Sequence, residues 1–143
     1  MTDISVVSEG PVKPARGLLA DRAYRAAVRI TDSLRAALAG LLAELDIRRG
    51  DEDLEALMEL DTTVHRFIYH CAGNPFLEET LGRYLNLSLR IWYLVIDRLP
   101  HLFARVHEHE EVLRAIEAGQ AERAREILTQ HIATFEQEIR SVL

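Results

Sequence analysis

The amino-acid sequence predicts an all-α fold, an antiparallel bundle of about six helices. Apolar residues recur every three or four positions through most of the 143-residue chain, which is the period of an amphipathic helix. The strict alternation of apolar and polar residues that is typical of strands is absent. Glycine, asparagine and proline separate the helical stretches, and the short connections favour antiparallel neighbours.

The chain divides into two regions by composition. Residues 1–14 contain two prolines, one glycine and no apolar period, so they are predicted to form a flexible tail or linker. Residues 15–143 are predicted to form one all-helical domain. The chain is 48% apolar and 28% charged, a balance that supports one domain with a hydrophobic core.

The first three helices follow from apolar stripes and capping residues. The first helix is predicted roughly over Leu18–Arg29. Thr31 or Asp32 can begin the second helix, because both side chains accept hydrogen bonds from the amides of a first helical turn. Gly50 is predicted to end that helix and Asp51 to begin the third.

The next junction combines glycine, asparagine and proline in the order Gly73-Asn74-Pro75. Gly73 suits the left-handed backbone that follows a helix, and Asn74 suits an N-cap position. Pro75 suits the first turn of a helix, where its missing N–H group is not needed. The fourth helix is therefore predicted from Pro75 to about Arg98.

Two further helices complete the predicted bundle. Pro100 separates the fourth helix from the fifth, which is predicted roughly over Leu102–Ala118. Gly119 is predicted to end the fifth helix, and the sixth is predicted over about Ala121–Val142. The turns between these helices are short, as in an antiparallel bundle.

Composition argues against a nucleic-acid-binding, disulfide-bonded, secreted or membrane protein. The net charge is −6 at pH 7, and the basic residues are interleaved with acidic ones, which argues against nucleic-acid binding by this chain. Cys71 is the single cysteine, which excludes an internal disulfide bond and fits a reducing compartment. The sequence has neither a signal-peptide pattern nor an apolar run of about 18 residues, so a cytoplasmic location without membrane contact is expected.

Four polar residues occupy positions where the helical period places apolar side chains. Asp61 and His65 are four residues apart, so both side chains leave the same face of the third helix. His109 and His131 fall on the apolar stripes of the fifth and sixth helices. A histidine in such a stripe is commonly a core residue that is hydrogen-bonded to a neighbour. A metal ion bound by all four is the second interpretation, because it would compensate the buried charge.

This donor set narrows the choice of metal and of chemistry. Imidazole-rich sites favour Zn, Ni, Cu or Fe over Mg or Ca. In a five- or six-coordinate ion, three histidines and one aspartate leave positions for water or a small carboxylate. Metal-assisted hydrolysis or hydration would need a general base. Besides Asp61, no acidic residue falls on the inward stripes near the histidines, so no enzymatic activity is predicted. A small metal-dependent hydrolase or hydratase and a metal-free structural bundle remain the alternatives.

Three stretches carry a resemblance to a known family. They are D-T-T-V-H-R-F-I-Y-H-C-A-G-N-P-F-L from Asp61, H-E-E-V-L-R-A-I-E-A-G from His109, and Q-H-I around His131. Together they resemble the C-terminal effector-binding domain, called FCD, of FadR-like regulators in the GntR family of bacterial transcription regulators. The resemblance covers about residues 14–143. It implies a helical bundle that senses a ligand and controls DNA binding through a second domain.

The resemblance implies a ligand set for a metal. In metal-binding members of the family, the positions that match the motif are the metal ligands. The matching positions here are Asp61, His65, His109 and His131. The implied cofactor is a divalent transition metal, with Zn favoured and Ni as the alternative.

The implied effector is a small organic acid that contacts the metal and an arginine in the bundle cavity. Arg90 lies 16 positions after Asn74, where the family often has an arginine. Asn86 and Arg83 precede it by about one and two turns, so the three side chains are predicted to form a ligand-binding line. Effector binding would shift the packing of the helices between two states, and a homodimer is expected.

The sequence departs from the family pattern at several positions. Val64 replaces the usual phenylalanine, Gln120 the usual aspartate, and Ala20 a common glutamate. Pro14 and Gly17 are expected to shorten or kink the first helix. These changes remove no metal ligand. Members of the family contact DNA through a winged helix-turn-helix domain, and this sequence contains no such pattern. The chain is therefore expected to be a free-standing effector domain, a truncated product or a fragment of a longer regulator.

Overall fold

The computed structural model describes residues 13–48, 53–98 and 108–142. Within these ranges the chain forms six α-helices and one short 3₁₀ helix, and contains no strand. The helices, in chain order, are α1 Lys13–Val28, α2 Asp32–Ile47, α3 Leu54–Cys71, α4 Pro75–Val95, α5 His109–Glu117 and α6 Ala121–Val142, with the 3₁₀ helix Ile96–Arg98 after α4. The predicted all-α bundle is confirmed.

Helix α1 begins earlier than the sequence predicted. It starts at Lys13 rather than at Leu18, so it includes Pro14 and Gly17. Proline is tolerated in a first helical turn because the N–H group that it lacks has no partner there. The expectation that Pro14 and Gly17 shorten this helix is therefore wrong.

N-cap residues with hydrogen-bonded side chains define the starts of α2 and α3. Thr31 is the N-cap of α2, and its hydroxyl accepts a hydrogen bond of 3.2 Å from the backbone amide of Leu34. Asp53 is the N-cap of α3, where its carboxylate accepts hydrogen bonds of 3.1 and 3.2 Å from two amides of the first turn. Each cap satisfies amides that have no partner within the helix. The predicted boundaries at Gly50 and Asp51 lie outside the described residues.

The junction between α3 and α4 has the predicted construction. Gly73 has a φ of +78°, a left-handed conformation that favours glycine. The carboxamide oxygen of Asn74 accepts hydrogen bonds from the backbone amides of Phe76 and Leu77, at 3.1 and 3.2 Å. Pro75 is the first residue of α4. This sharp turn sends α4 back along α3, which it contacts.

The ends of α4, α5 and α6 agree with the sequence where the structure describes them. The α-helical part of α4 ends at Val95, and the 3₁₀ turn continues to Arg98, the predicted end. The predicted start of the fifth helix, at Leu102 after Pro100, lies outside the described residues. Gly119 ends α5 with a φ of +71°, and α6 has the predicted bounds.

Helix α1 packs against α3, α5 and α6, the three helices that carry the candidate site. Helix α6 packs against α1 and α5, and α3 packs against α1 and α4. The buried residues of α1 include Ala23, Ala26 and Ala27, whose small side chains allow close helix packing. The largest fully buried apolar side chains are Leu38, Leu45, Leu57, Met58, Val64, Ile68, Val112, Leu113, Ile116 and Leu128.

Among the described residues, no helix combines the length and the apolar character needed to cross a lipid bilayer.

Candidate metal centre

Helix α3 supplies two of the candidate ligands from its buried face. Asp61 and His65 are one helical turn apart and are only 7% and 6% exposed. Val64 and Ile68 on the same helix are fully buried. The helix therefore turns a carboxylate and an imidazole toward the core together with its apolar side chains, as the helical period predicted.

Helices α5 and α6 supply the other two candidate ligands. His109 is the first residue of α5, and His131 lies near the middle of α6. They are 2% and 8% exposed. One potential ligand atom from each of Asp61, His65, His109 and His131 lies within 4.8 Å of all the others. The structure thus brings together all four residues that the sequence predicted as metal ligands.

The distances within the cluster are short. His109 Nε2 lies 3.1 Å from His65 Nε2 and 3.2 Å from Asp61 Oδ1. Asp61 Oδ1 lies 3.7 Å from His65 Nε2. The ring of His109 meets the rings of His65 and His131 edge to face, with centroid separations of 4.9 and 4.4 Å. His109 is therefore the central imidazole of the cluster.

Side chains around the cluster hold two of its imidazoles in place. Glu108 Oε2 lies 2.9 Å from His131 Nδ1. The ring of Phe135, one turn further along α6, stacks at 6.4 Å from the ring of His131. The ring of Tyr69, one turn after His65 on α3, lies 6.2 Å from that imidazole. Sequence reasoning missed Glu108, because helical phase does not predict a contact between a helix's first turn and another helix.

Burial shifts the pKa values of His65 and of the neighbouring Tyr69. Desolvation lowers the pKa of His65 to about 4, although the nearby Asp61 carboxylate opposes this change and His109 reinforces it. His65 is therefore neutral at neutral pH and has a lone pair available for a metal. Desolvation also raises the pKa of Tyr69, and the negative charge of Asp61 acts in the same direction. Tyr69 is therefore un-ionised at neutral pH.

A buried carboxylate oxygen of the cluster lacks compensation. Among the described residues, Asp61 Oδ2 has no hydrogen-bond partner. A buried carboxylate without full compensation is costly, and a cation removes that cost. Ligand atoms about 2.1 Å from a metal ion lie about 3.0 Å apart at octahedral angles and about 3.4 Å apart at tetrahedral ones, close to the 3.1, 3.2 and 3.7 Å found here. The residues therefore fit a divalent transition metal.

The three predicted effector contacts lie elsewhere, on exposed positions of α4. Arg83 forms an ion pair of 2.6 Å with Glu79, and Asn86 accepts a hydrogen bond from Arg66. Arg90 is also exposed. In the described chain these side chains do not join the buried cluster, and their role in effector binding stays a prediction.

Comparison with known proteins establishes the family. A family model described as the FCD domain matches residues 15–134, which include all four candidate ligands. The chain therefore belongs to the FCD family, whose members are regulatory effector-binding domains of FadR-like GntR regulators. No curated protein matches the chain.

Proposed function

We propose that this chain is the ligand-sensing and dimerisation domain of a FadR-like GntR transcription regulator. It binds a divalent metal ion and a small organic acid within the helical bundle, and so controls DNA binding by a winged-helix domain. The observation that carries this proposal is the buried cluster of one carboxylate and three imidazoles in an FCD fold. Burial of such a set without a cation would be unfavourable.

The proposed ligands of the metal are Asp61, His65, His109 and His131. Three imidazoles favour Zn, with Ni as the alternative. When bound, the metal supplies positive charge next to Asp61 and coordination positions that a carboxylate can occupy. Because α3, α5 and α6 each contribute a ligand, binding at this centre depends on the relative positions of three helices.

The proposed effector is a small carboxylic acid. Arg90 is the first candidate for the side chain that clamps its carboxylate, because a guanidinium group can donate two parallel hydrogen bonds. Asn86 and Arg83 are the proposed additional contacts along α4. An acid that bound one packing arrangement of the helices more tightly than another would shift the population between them. The proposed role is sensing and not catalysis.

An exposed apolar stripe on α4 supports the proposed homodimer. The side chains of Tyr84, Leu87, Ile91 and Leu94 are 42 to 77% exposed. Their spacings of three, four and three residues place them on one face of the helix. An apolar stripe of this kind is typical of a protein–protein interface. The neighbouring Arg83 and Arg90 would lie at the edge of such an interface.

A thermal-shift screen of mono-, di- and tricarboxylates against the Zn-loaded protein tests the proposal. At least one acid is expected to raise the melting temperature in a concentration-dependent way, because a ligand that binds only the folded state stabilises it. The increase should disappear after chelation of the metal. If no acid has an effect on the loaded protein, the proposed effector class is wrong.

Variants then test the proposed clamp. Arg90→Ala should abolish the increase that the selected acid produces, whereas Arg123→Ala, at an exposed arginine of α6, should leave it unchanged. An unchanged response in Arg90→Ala would exclude that residue as the clamp.

A further inference from the structure

Glu108 links the start of α5 to a candidate ligand on α6. Its carboxylate oxygen Oε2 lies 2.9 Å from Nδ1 of His131, 23 residues away in the chain. The Glu108 side chain is 37% exposed and that of His131 is 8% exposed. The contact therefore joins the surface of the protein to an imidazole of the buried cluster.

The contact determines which nitrogen of His131 can bind a metal. A carboxylate accepts a hydrogen bond, so Nδ1 of His131 carries the proton and donates it to Glu108. In a neutral imidazole the other nitrogen, Nε2, then has the lone pair. A carboxylate in this position also fixes the orientation of the imidazole ring.

The side chain of Glu108 does not cap α5. It occupies the N-cap position of α5, but its side chain makes no capping hydrogen bond to that helix. Its carboxylate instead contacts a residue of α6. The next residue, His109, is itself a candidate ligand. Two successive residues therefore contribute to the cluster, His109 as a ligand and Glu108 through its contact with His131.

We propose that Glu108 is a positioning residue of the metal site, which holds His131 so that Nε2 faces the metal. This inference rests on the proposed metal binding, and it adds an outer residue that supports one of the four ligands. Loss of such an outer contact typically weakens metal binding by about 10- to 100-fold.

Measurement of Zn²⁺ affinity, by competition with a fluorescent chelator, compares three variants with the wild type. Glu108→Ala should bind Zn²⁺ about 10- to 100-fold more weakly. Glu108→Gln keeps an oxygen that accepts the Nδ1 proton and should recover most of the affinity. Glu111→Ala removes the same charge from an exposed position in the same first turn and should bind as the wild type does.

The outcomes distinguish the positioning role of Glu108 from the proposed metal centre. Equal affinities of Glu108→Ala and Glu111→Ala would overturn the positioning role. A loss in Glu108→Gln as large as that in Glu108→Ala would also overturn it, since that result indicates a direct metal ligand. Wild-type protein that does not bind Zn²⁺ would instead overturn the proposed metal centre.

Nitrogen NMR of the metal-free protein provides a second readout that does not depend on metal binding. The ¹⁵N shifts of the His131 ring should indicate a proton on Nδ1 in the wild type and in Glu111→Ala. The fraction of His131 rings with the proton on Nδ1 should be lower in Glu108→Ala. If the wild-type ring carries its proton on Nε2, Glu108 does not position His131 as proposed. Far-ultraviolet circular dichroism of each variant identifies any loss of fold.

Discussion

His65 Nε2 and His109 Nε2 lie 3.1 Å apart, although 44 residues separate them in the chain. The contact joins α3 to α5 in a buried environment. Two imidazole nitrogens at this distance need a proton or a cation between them, because two lone pairs facing each other repel. A metal ion would take the place of the shared proton and would also compensate Asp61, whose Oδ1 lies 3.2 Å from the same nitrogen of His109.

Removal of the central imidazole should remove the metal. Protein purified without chelator should contain about one Zn or Ni ion per chain by elemental analysis, and His109→Ala should contain almost none. His70→Ala is the matched control, because His70 is an exposed histidine of α3 that pairs with Glu78. Unchanged metal content in His109→Ala would exclude the proposed centre.

Chelation should lower the melting temperature. A ligand that binds only the folded state stabilises it by about 2.7 kcal/mol when its free concentration is 100 times the Kd. For a protein of this size, that difference corresponds to several degrees. Differential scanning calorimetry of Zn-loaded and chelated protein measures it. Equal melting temperatures would favour the metal-free structural bundle, and His109→Ala should show no effect of chelator.

A charge in the exposed stripe of α4 should dissociate the proposed dimer. Ile91→Glu places a carboxylate in the middle of the stripe, where its burial at an interface would be unfavourable. Sedimentation equilibrium should show a dimer for the wild type and a monomer for this variant. Ile47→Glu is the control, because Ile47 is an exposed apolar residue of α2. A wild-type monomer at high micromolar concentration would contradict the proposed dimer.

The ion pair between α1 and α6 should make stability depend on pH. Asp21 accepts hydrogen bonds from Arg22 at 2.9 Å and from Arg125 at 3.1 Å. Desolvation raises the pKa of Asp21, but the hydrogen bonds and charges of both arginines outweigh it, so the pKa lies below the ordinary value of 3.8. The pair therefore stabilises the fold above about pH 4. This stabilisation is lost as the pH falls through the lowered pKa.

Urea unfolding of Asp21→Asn measures this contribution. The variant should lose about 1 kcal/mol at pH 7, a small value because Asp21 is partly exposed. The difference from the wild type should shrink as the pH falls below 4. Asp32→Asn, which breaks the exposed ion pair with Arg35, should change stability by a few tenths of a kcal/mol at most. A pH-independent difference for Asp21→Asn would contradict the electrostatic explanation.

Local sequence signals determined most of the helix boundaries. The Gly73-Asn74-Pro75 junction, the Thr31 cap and the bounds of α6 are as predicted. These features depend on backbone conformation and on contacts within a few residues, which the sequence specifies directly. The start of α1 was predicted incorrectly. Proline and glycine were interpreted there as helix breakers, whereas proline is compatible with a first turn.

Tertiary structure decided which of the predicted functional residues come together. The helical period alone assigned Asp61, His65, His109 and His131 to buried faces, because it determines which side of each helix is apolar. It did not determine their separations, which depend on how α3, α5 and α6 pack. The same packing leaves Arg90 exposed and places Glu108 beside His131. Contacts between helices depend on many apolar side chains distant in sequence, so no local pattern predicts them.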